Sequence, residues 1–371
     1  MSRFSAAERE FDHALPQRTG VLLVQLGTPQ APETSAVRRY LREFLSDPRV
    51  VEIPRLIWAL ILNGIILNVR PAKSAQKYAS IWTPEGSPLA VHTEAQSEAV
   101  QRALSARGHD VRLAWAMRYG SPSVTSVMRR LREDNVSRVL VVPLYPQYAG
   151  STTATAFDEV FRELLRWRNQ PELRTVRSFP AHSGYIEALA RHIERGWAVD
   201  GPPDCLVMSF HGVPRRTLLL GDPYHCECHV TGRLLAQRLG LAPDRYRITF
   251  QSRFGKAEWL QPYTDASLHE LAKQGARRVD VVCPGFVADC LETLEEIAME
   301  GRDTFMEAGG QDYRYISCLN GSDDFASAMA DLIVTHLAGW PTLALSAHER
   351  QQHEQCLAAR AERARRLGAA R

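Results

Sequence analysis

Two apolar runs that end on the same short motif indicate how this chain folds. VLLVQLGTP (21–29) and CLVMSFHGVP (205–214) both look like a buried strand that ends in Gly-x-Pro, and their alignment places Leu26 opposite His211. Two further pairs of similar runs follow in the same order along the chain: RLAWAMRYG (112–120) with RITFQSRFG (247–255), and SRVLVVPLY (137–145) with RRVDVVCPG (277–285). An order that recurs in three pairs predicts an internal duplication.

Helical patterns such as TEAQSEAVQRALSARG (93–108) separate the apolar runs. Runs of five or six apolar residues are typical of parallel strands that are buried on both faces, and their alternation with helices predicts an α/β fold. We predict two similar Rossmann-like, doubly wound domains with parallel sheets, facing each other across a cleft. The predicted domains are residues 18–165 and 166–322, a helix at 323–340 packs back on the first, and 347–371 form a basic tail.

Composition excludes several classes of protein. Of the 371 residues, 45% are hydrophobic and 23% charged, which is typical of a soluble globular chain rather than a disordered or fibrous one. The net charge of +3 gives no sign of nucleic-acid binding. Seven scattered cysteines favour a reducing compartment. Because the first 17 residues also lack the apolar core of a signal peptide, we expect a cytoplasmic protein.

The most apolar stretch is LIWALILNGIILNV (56–69), which is interrupted by Asn63, Gly64 and Asn68. A membrane span needs about 20 apolar residues, so this run of 14 is too short to cross a bilayer. We therefore predict a buried helix or an apolar lip, with peripheral contact to the inner membrane as the associated expectation.

The candidate chemical groups lie at the predicted carboxyl ends of strands, where open α/β sheets bind their ligands. His211 follows the strand LVMSF, and a histidine there can transfer a proton near neutral pH or simply bond to a loop. In PGFVADCLETLEEI (284–297), Glu292 and Glu296 are four residues apart on one face of a predicted helix, and Glu300 follows. Such a row either holds a cation loosely through oxygen or is a solvated acidic face.

Other motifs narrow the choice of function. YHCECHV (224–230) lacks the C-x₂-C spacing of zinc ribbons, and we predict a structural role for it. Trp259 and Tyr263 either line a pocket for a flat ligand or fill the core. Because the chain contains no Walker loop, G-x-G-x-x-G, G-x-S-x-G or H-E-x-x-H motif, the nucleotide-binding, hydrolase and zinc-protease interpretations lose their main support.

Seven segments, taken together, resemble the ferrochelatases, which insert ferrous iron into a porphyrin to make haem. These segments are LGTP (26–29), IWTPEGSPL (81–89), PLYPQYAGSTT (143–153), SFHGVP (209–214), GDPY (221–224), TFQSRFGKAEWLQPYTD (249–265) and GFVADCLETLEE (285–296). The resemblance extends over about residues 18 to 335, and it implies two Rossmann-like domains with a porphyrin cleft between them.

The resemblance also implies roles for individual residues. His211 matches the catalytic histidine, Glu292 its partner carboxylate, and Glu296 the next acidic residue of a metal path, so that all three are implied metal contacts. The remaining implied porphyrin contacts are apolar or aromatic positions against the macrocycle and positions near its propionates or the side from which metal arrives: Leu26, Trp259 and Phe286, and Arg70, Arg118 and Tyr119. The segment 56–69 resembles the lip through which porphyrin enters from the membrane.

Two positions depart from the family pattern. Cys290 stands where some relatives carry a second histidine. Animal relatives bind a [2Fe–2S] cluster through one cysteine in the sequence matching 148–152 and three near the C-terminus, whereas this chain has Gly150 and a lone Cys356. We therefore expect no [2Fe–2S] cluster and no other tightly bound cofactor, with Fe²⁺ acting as a substrate.

The resulting expectation is a lyase that inserts Fe²⁺ into protoporphyrin IX while the macrocycle is distorted and His211 removes protons. The alternatives are a coproporphyrin ferrochelatase, a related cobalt or nickel chelatase for another tetrapyrrole, and a non-catalytic two-domain ligand-binding protein. The expected partners are protoporphyrin and Fe²⁺, with no nucleic acid, and we expect a monomer.

Overall fold

The structure is a computed structural model that describes residues 12–255 and 257–369. Most of the N-terminal segment in which we predict no signal peptide, and Ala370 and Arg371 of the predicted basic tail, lie outside these residues. Two parallel sheets of four strands form the framework, with the orders β2-β1-β3-β4 and β6-β5-β7-β8. The strands are β1 (Arg18–Gly27), β2 (Arg112–Tyr119), β3 (Val136–Pro143), β4 (Glu172–Thr175), β5 (Cys205–His211), β6 (Tyr246–Gln251), β7 (Arg278–Val282) and β8 (Asp312–Ile316).

Helices connect the strands and cover both faces of the sheets. The α-helices are α1 (Thr34–Leu45), α2 (Arg55–Ile61), α3 (Leu67–Ile81), α4 (Pro88–Ala106), α5 (Val124–Glu133), α6 (Thr155–Leu164), α7 (Ser183–Asp200), α8 (Arg215–Leu219), α9 (Tyr224–Arg238), α10 (Thr264–Lys273), α11 (Arg302–Glu307), α12 (Asp323–His336) and α13 (Ala347–Arg366). Three further segments are π-helical, Leu62–Ile66, Gly150–Ala154 and Glu292–Gly301, and Pro243–Arg245 form a 3₁₀ turn.

The two halves repeat one topology, which confirms the predicted α/β fold class with two similar parallel sheets. The register of β1 on β3 and of β5 on β7 is the one that the sequence comparison requires. In the remaining pair, Val21 lies opposite Leu113, whereas its counterpart Leu206 lies opposite Tyr246 where the alignment predicts Ile248. The alignment of β2 with β6 was therefore wrong by two residues. A shift of two keeps every side chain on its predicted face of the sheet.

Alternate residues of β1 face two different cores. Leu22 and Val24 pack under α5 and α6, within the first half of the chain. Val21 and Leu23 point to the opposite face, where they share one apolar cluster with Met208 of β5 and with residues of α4, α7, α9 and α12. The two sheets are thus joined through a common core, and a large apolar interface of this kind limits the movement of one half against the other.

The C-terminal helices connect the end of the chain to its beginning. Helix α12 packs on α4 of the first half and on α7, and it ends at His336, four residues before the predicted end. The chain turns beyond it at Gly339, whose φ is +79°. Helix α13, most of the predicted tail, is largely exposed, and the Arg360 guanidinium ties it to the backbone oxygens of His13 and Leu15. The domain boundaries themselves stay a prediction.

The apolar lip is part of one continuous helix, Arg55–Ile81, which comprises α2, a π-helical turn and α3. Leu56 and Leu60 of its first turns are 84% and 77% exposed. Length and composition alone would allow this helix of 27 residues to cross a bilayer, and it is the single such helix in the described ranges. The prediction that this segment is too short to cross a bilayer considered only the 14 apolar residues, whereas the helix that contains them is longer. Its second half packs on α1 and on the π-helix Glu292–Gly301.

Candidate functional site

Two glycines allow the ends of the central strands to approach their neighbours closely. Gly27, at a φ of +126°, has no room for a side chain, since a Cβ would lie 1.9 Å from the backbone oxygen of Tyr119. At Gly212, a Cβ would lie 2.6 Å from the backbone oxygen of Gln251 and 3.2 Å from the Trp259 ring. These are the glycines of the two Gly-x-Pro motifs. They bring the residues before them to equivalent places in the two halves.

His211 is the last residue of β5 and is half-buried. Its Nδ1 lies 2.6 Å from the backbone oxygen of Gly212. Because a carbonyl oxygen only accepts, Nδ1 carries the proton, and Nε2 of the neutral ring keeps its lone pair. The ring centre lies 6.4 Å from that of Phe286, a predicted pocket aromatic. His211 is thus oriented as a base or ligand through Nε2.

The predicted acidic helix is the π-helix Glu292–Gly301 rather than an α-helix. Its backbone bonds span five residues instead of four, so each turn is wider than an α-helical turn. Glu292 and Glu296 still lie about one turn apart, as predicted. The π-helical form was not foreseen, because a spacing of four residues fits either kind of helix.

Glu300 does not extend the predicted row of carboxylates. Glu295 and Glu300, five residues apart, both accept from Lys77 Nζ of α3, at 2.9 and 2.8 Å. In an α-helix two residues with this spacing would point about 140° apart, whereas one π-turn aligns them. The π-helix therefore presents two pairs of carboxylates in different directions, and the second pair holds α3.

Glu296 is bound to the loop after β6. One carboxylate oxygen accepts the backbone N–H of Ser252 at 2.6 Å, and the other accepts the Ser252 hydroxyl. Burial raises the pKa of Glu296, against the opposing effects of Ser252 and His211, and the charge of Glu292 raises it further. Ser252 has a φ of +63°, a strained backbone conformation for a residue other than glycine and typical of functional sites. Because His211 lowers the pKa of Glu296, the two side chains lie within range of an electrostatic interaction.

Glu292 faces groups of the first half. Its backbone oxygen accepts from Gln251 Nε2 at 2.7 Å, which anchors the start of the π-helix to β6. Burial raises the pKa of the Tyr78 phenol, and the charge of Glu292 raises it further. Burial lowers the pKa of Arg70, an effect that Tyr78 and Glu292 partly offset. Arg70 lies 4.5 Å from the ring centre of Phe254, so a cation spans the gap between the lip helix and the loop after β6.

The predicted apolar contacts come from both halves. Leu26, at the end of β1, packs on an apolar cluster that includes Tyr40, Leu62 and Leu67 of α1 and the lip. On the other side, Trp259 lies against Gly212, and its Nε1–H donates to the backbone oxygen of Phe254. The contact of Leu26, Trp259 and Phe286 with a macrocycle stays a prediction.

Arg118 and Tyr119 point into the protein. Arg118 is 8% exposed, and it donates to Asp47 at 2.5 Å and to the Thr155 hydroxyl at 2.7 Å. The Tyr119 hydroxyl donates to Asp47 at 2.9 Å. Burial alone would raise the pKa of Asp47, but hydrogen bonds from the Thr155 hydroxyl, the Arg49 backbone N–H and the Tyr119 hydroxyl, together with the charge of Arg118, hold it below its ordinary value. The predicted position of Arg118 and Tyr119 near the propionates or the side from which metal arrives stays a prediction, since their described partners are internal.

The predicted metal contacts do not form a ready-made cage. Within residues 12–255 and 257–369, no three His, Cys, Asp or Glu side chains are grouped to hold an ion. Burial raises the pKa of the Cys290 thiol, and Glu292 raises it further, so Cys290 is a neutral thiol at neutral pH. In YHCECHV, the rings of His225 and His229 pack together and on Phe250. All seven cysteines are free, and the expected absence of a cluster stays a prediction.

Sequence reasoning missed several polar residues of the site: Asp47, Lys77, Tyr78 and Ser252. Ser252 lies in a segment that carries the family resemblance, yet its role depends on a backbone angle that no residue pattern reveals. Lys77 sits on the lip helix, where the apolar residues dominated the interpretation. Its positive charge was the one signal in the sequence, and that charge alone does not reveal the distant acidic helix that it contacts.

Comparisons with known proteins agree on one family. The family model described as Ferrochelatase matches residues 18–337. A ferrochelatase from Herminiimonas arsenicoxydans is 58% identical over 362 residues, 98% of each chain, and one from Aromatoleum aromaticum is 58% identical over 360 residues, 97% of each chain. Among solved structures, SirB from Bacillus subtilis with Fe³⁺ is similar at a TM-score of 0.52 with 12% identity, over 87% of this chain and 96% of that one. At that identity the likeness concerns the fold.

The buried contact between Arg118 and Asp47 gives a prediction for stability. Asp47→Asn should lower the free energy of unfolding at pH 7 by about 3 kcal/mol, because buried Arg118 would keep only the more distant carboxylate of Glu159, at 3.6 Å, as its counter-charge. Ionised Asp47 stabilises the fold above about pH 3.8, and this contribution is lost as the pH falls through its depressed folded-state pKa. The difference between variant and parent, measured by urea unfolding, should therefore shrink in acid.

A matched control is Asp158→Asn, which removes the carboxylate partner of Arg49 in a solvent-exposed pair and should cost less than about 1 kcal/mol. Equal losses for the two variants at pH 7 would contradict a special role for the buried pair.

Proposed function

The chain belongs to the ferrochelatase family, and on this premise we propose that it inserts ferrous iron into protoporphyrin IX to form protohaem. Family membership supports metal insertion into a porphyrin, and the identity of that porphyrin is the finer part of the proposal. The observation that carries the proposal is the contact of His211 Nδ1 with the Gly212 backbone oxygen at 2.6 Å, which makes Nε2 the acceptor atom of the neutral ring.

Proton removal is the first task of such a site. A free-base porphyrin loses two pyrrole protons as the metal takes their place on four nitrogens. His211 Nε2 accepts the first of these protons, since Nδ1 already carries its own, and passes it to solvent before it accepts the second. The imidazolium that forms lies within electrostatic reach of Glu296, whose charge stabilises it.

Bending the macrocycle is the second task. In a planar porphyrin the nitrogen lone pairs point into the ring, where a metal ion reaches them poorly. A narrow apolar cleft that binds the bent form more tightly than the planar one lowers the barrier to insertion. Leu26 and the apolar cluster of α1 and the lip form one wall of this cleft, and Trp259 and Phe286 form the other. Glycines at positions 27 and 212 keep these walls close to the strand ends.

Metal delivery requires weak ligands. Carboxylate oxygens hold Fe²⁺ less firmly than thiolates and release it to the four porphyrin nitrogens. We assign this role to Glu292 and Glu296, which lie about one turn apart on the π-helix. Burial raises the pKa of the Cys290 thiol, which disfavours the thiolate that would hold Fe²⁺ more firmly than a carboxylate.

Protoporphyrin suits the apolar surroundings better than coproporphyrin, the second candidate. Protoporphyrin carries two propionates and coproporphyrin four, and Arg70 is a half-buried cation at the edge of the cleft. The exposed lip also favours a substrate that partitions into membranes. A related chelatase acting with cobalt or nickel on another tetrapyrrole remains the alternative in metal choice.

The test is metal insertion followed by visible absorption, with Fe²⁺ or Zn²⁺ supplied to protoporphyrin and coproporphyrin side by side. We expect a higher kcat/KM for protoporphyrin. His211→Ala should abolish insertion while porphyrin still binds, because the apolar contacts that supply most of the affinity remain. Faster turnover of coproporphyrin would replace the substrate. Loss of porphyrin affinity with unchanged turnover in His211→Ala would refute its role as the base.

Substitution of the two carboxylates should separate their roles. Glu292→Gln should lower kcat at saturating metal about a hundredfold, because an amide cannot balance the charge that develops as Fe²⁺ enters. Glu296→Gln should chiefly raise the KM for metal about tenfold, since it removes a weak oxygen ligand. Steady-state rates with metal and porphyrin varied separately measure both effects.

Glu300→Gln is the matched control on the same helix. It weakens only the ion pair with Lys77 and should leave both constants within about twofold of the parent. Two nearly silent variants at Glu292 and Glu296 would mean that these carboxylates form a solvated face. An exchange of the two effects would reverse the assigned roles.

Peripheral attachment to the cytoplasmic face of the inner membrane is a further part of the proposal. Leu56 and Leu60 are exposed on the lip, and the largely exposed helix α13 ends in several arginines. Leu60→Glu should lower binding to anionic vesicles at high salt. Deletion of 347–371 should lower it mainly at low salt, because attraction of about 1 kcal/mol per basic residue is screened by ions. Val199→Glu, at a residue 82% exposed on α7, is the control, and equal loss in all three variants would contradict attachment through these segments.

A further inference from the structure

Two carboxylates of the second half hold the loop that follows β3 in the first half. The Tyr148 backbone N–H donates to Glu227 Oε2 at 2.7 Å, and the Gly150 N–H donates to Asp222 Oδ2 at 2.7 Å. Hydrogen bonds to ionised acceptors at this distance are among the stronger ones in proteins. Two motifs that carry the family resemblance, PLYPQYAGSTT and GDPY, thus meet across the interface between the halves.

Both carboxylates are themselves held in place. The other oxygen of Asp222 accepts the Tyr224 N–H at 3.0 Å, and the backbone N–H of Asp222 donates to the oxygen of Thr217 at 3.0 Å. The side chain of Glu227 is 14% exposed, and its second oxygen accepts from Arg177 at 3.2 Å. Asp222 therefore has a fixed position on the second half, and Glu227 also holds Arg177, which follows β4 of the first sheet and stacks on the Tyr148 ring at 4.2 Å.

The contact connects the two walls of the cleft. On one side, Asp222 lies at the end of the segment 211–222, which begins with His211 and contains α8. On the other side, the segment held by Asp222 and Glu227 continues through the π-helical turn Gly150–Ala154 to Thr155, whose hydroxyl binds Asp47 and accepts from Arg118. A shift at this contact would move the segment 211–222, and His211 with it, relative to the first half.

We propose that Asp222 and Glu227 are positioning residues that set the width of the cleft and, through it, the fit of the macrocycle. The shared apolar core holds the sheets together and includes Ala149, and these two carboxylates fix the polar backbone groups on either side of that residue. The inference rests on the proposed function, because the macrocycle is the ligand that spans both walls. A metal ion is too small to sense the width, so its KM is the internal reference.

The experiment compares Asp222→Ala and Glu227→Ala with the conservative Asp222→Asn, whose amide oxygen still accepts from Gly150. The matched control is Glu187→Ala, which removes an acceptor of Arg238 and Arg191 within the α7–α9 pair and leaves the loop after β3 untouched. Porphyrin affinity is measured by fluorescence quenching without metal, and KM for porphyrin, KM for metal and the melting temperature are measured in parallel.

We expect a rise of about tenfold in the dissociation constant and KM for porphyrin in the two alanine variants, equivalent to about 1.4 kcal/mol. The KM for metal should stay within about twofold, and Asp222→Asn should keep most of the affinity. A lower melting temperature with unchanged porphyrin affinity, or an effect equal to that of Glu187→Ala, would overturn the inference. If an alanine variant does not fold, parental affinity in Asp222→Ser, tested in its place, would also overturn it. A parent that neither binds nor metallates porphyrin would instead refute the proposed function.

Discussion

The apolar core between the two sheets is the constraint on which the rest of the structure depends. One face of each sheet is buried against helices of its own half, while the other face is buried in a cluster that both halves share. Because protein interiors are close-packed, neither half can move far without opening voids. The strand ends that carry Leu26 and His211 are therefore held at a nearly constant separation. The bending of a macrocycle that we propose would need walls of this rigidity.

Ion pairs and hydrogen bonds of charged groups hold the elements around the site, in addition to the apolar packing. Arg118 and Asp47 stabilise the first wall from inside, Lys77 connects the lip helix to the π-helix, and Glu296 is fixed by Ser252. Arg118 and Asp47 are almost fully buried, where the local dielectric constant is low and an ionic contact is correspondingly strong, whereas Lys77 is half-exposed and its ion pairs are partly screened by solvent. Burial also raises the pKa of Glu296, so the reactive part of the cleft is tuned by the packing that positions it.

Much of the fold could be predicted from the sequence, because buried parallel strands and their Gly-x-Pro endings leave a local pattern. The duplication followed from that pattern, although the alignment of β2 with β6 was two residues out, since apolar alternation does not change under a shift of two. The place of His211 and the spacing of Glu292 and Glu296 were equally local signals. What could not be predicted depends on distant contacts. The inward orientation of Arg118 depends on its contact with Asp47, 71 residues away. The π-helical form of the acidic segment accompanies the contacts of Glu295 and Glu300 with Lys77, which belongs to a distant helix.

The matching positions of Leu26 and His211 show what an internal repeat allows. Two identical half-length chains that met around a twofold axis would present the same residue on both sides of the space between them. Joining the copies in one polypeptide removes that obligation, since each copy then accumulates changes of its own. In this chain Leu26 lies on β1 and His211 on β5, each directly before the glycine of its motif, so an aliphatic side chain and an imidazole occupy equivalent places in the two copies. A flat ligand with two equivalent faces can thus be treated differently from above and below.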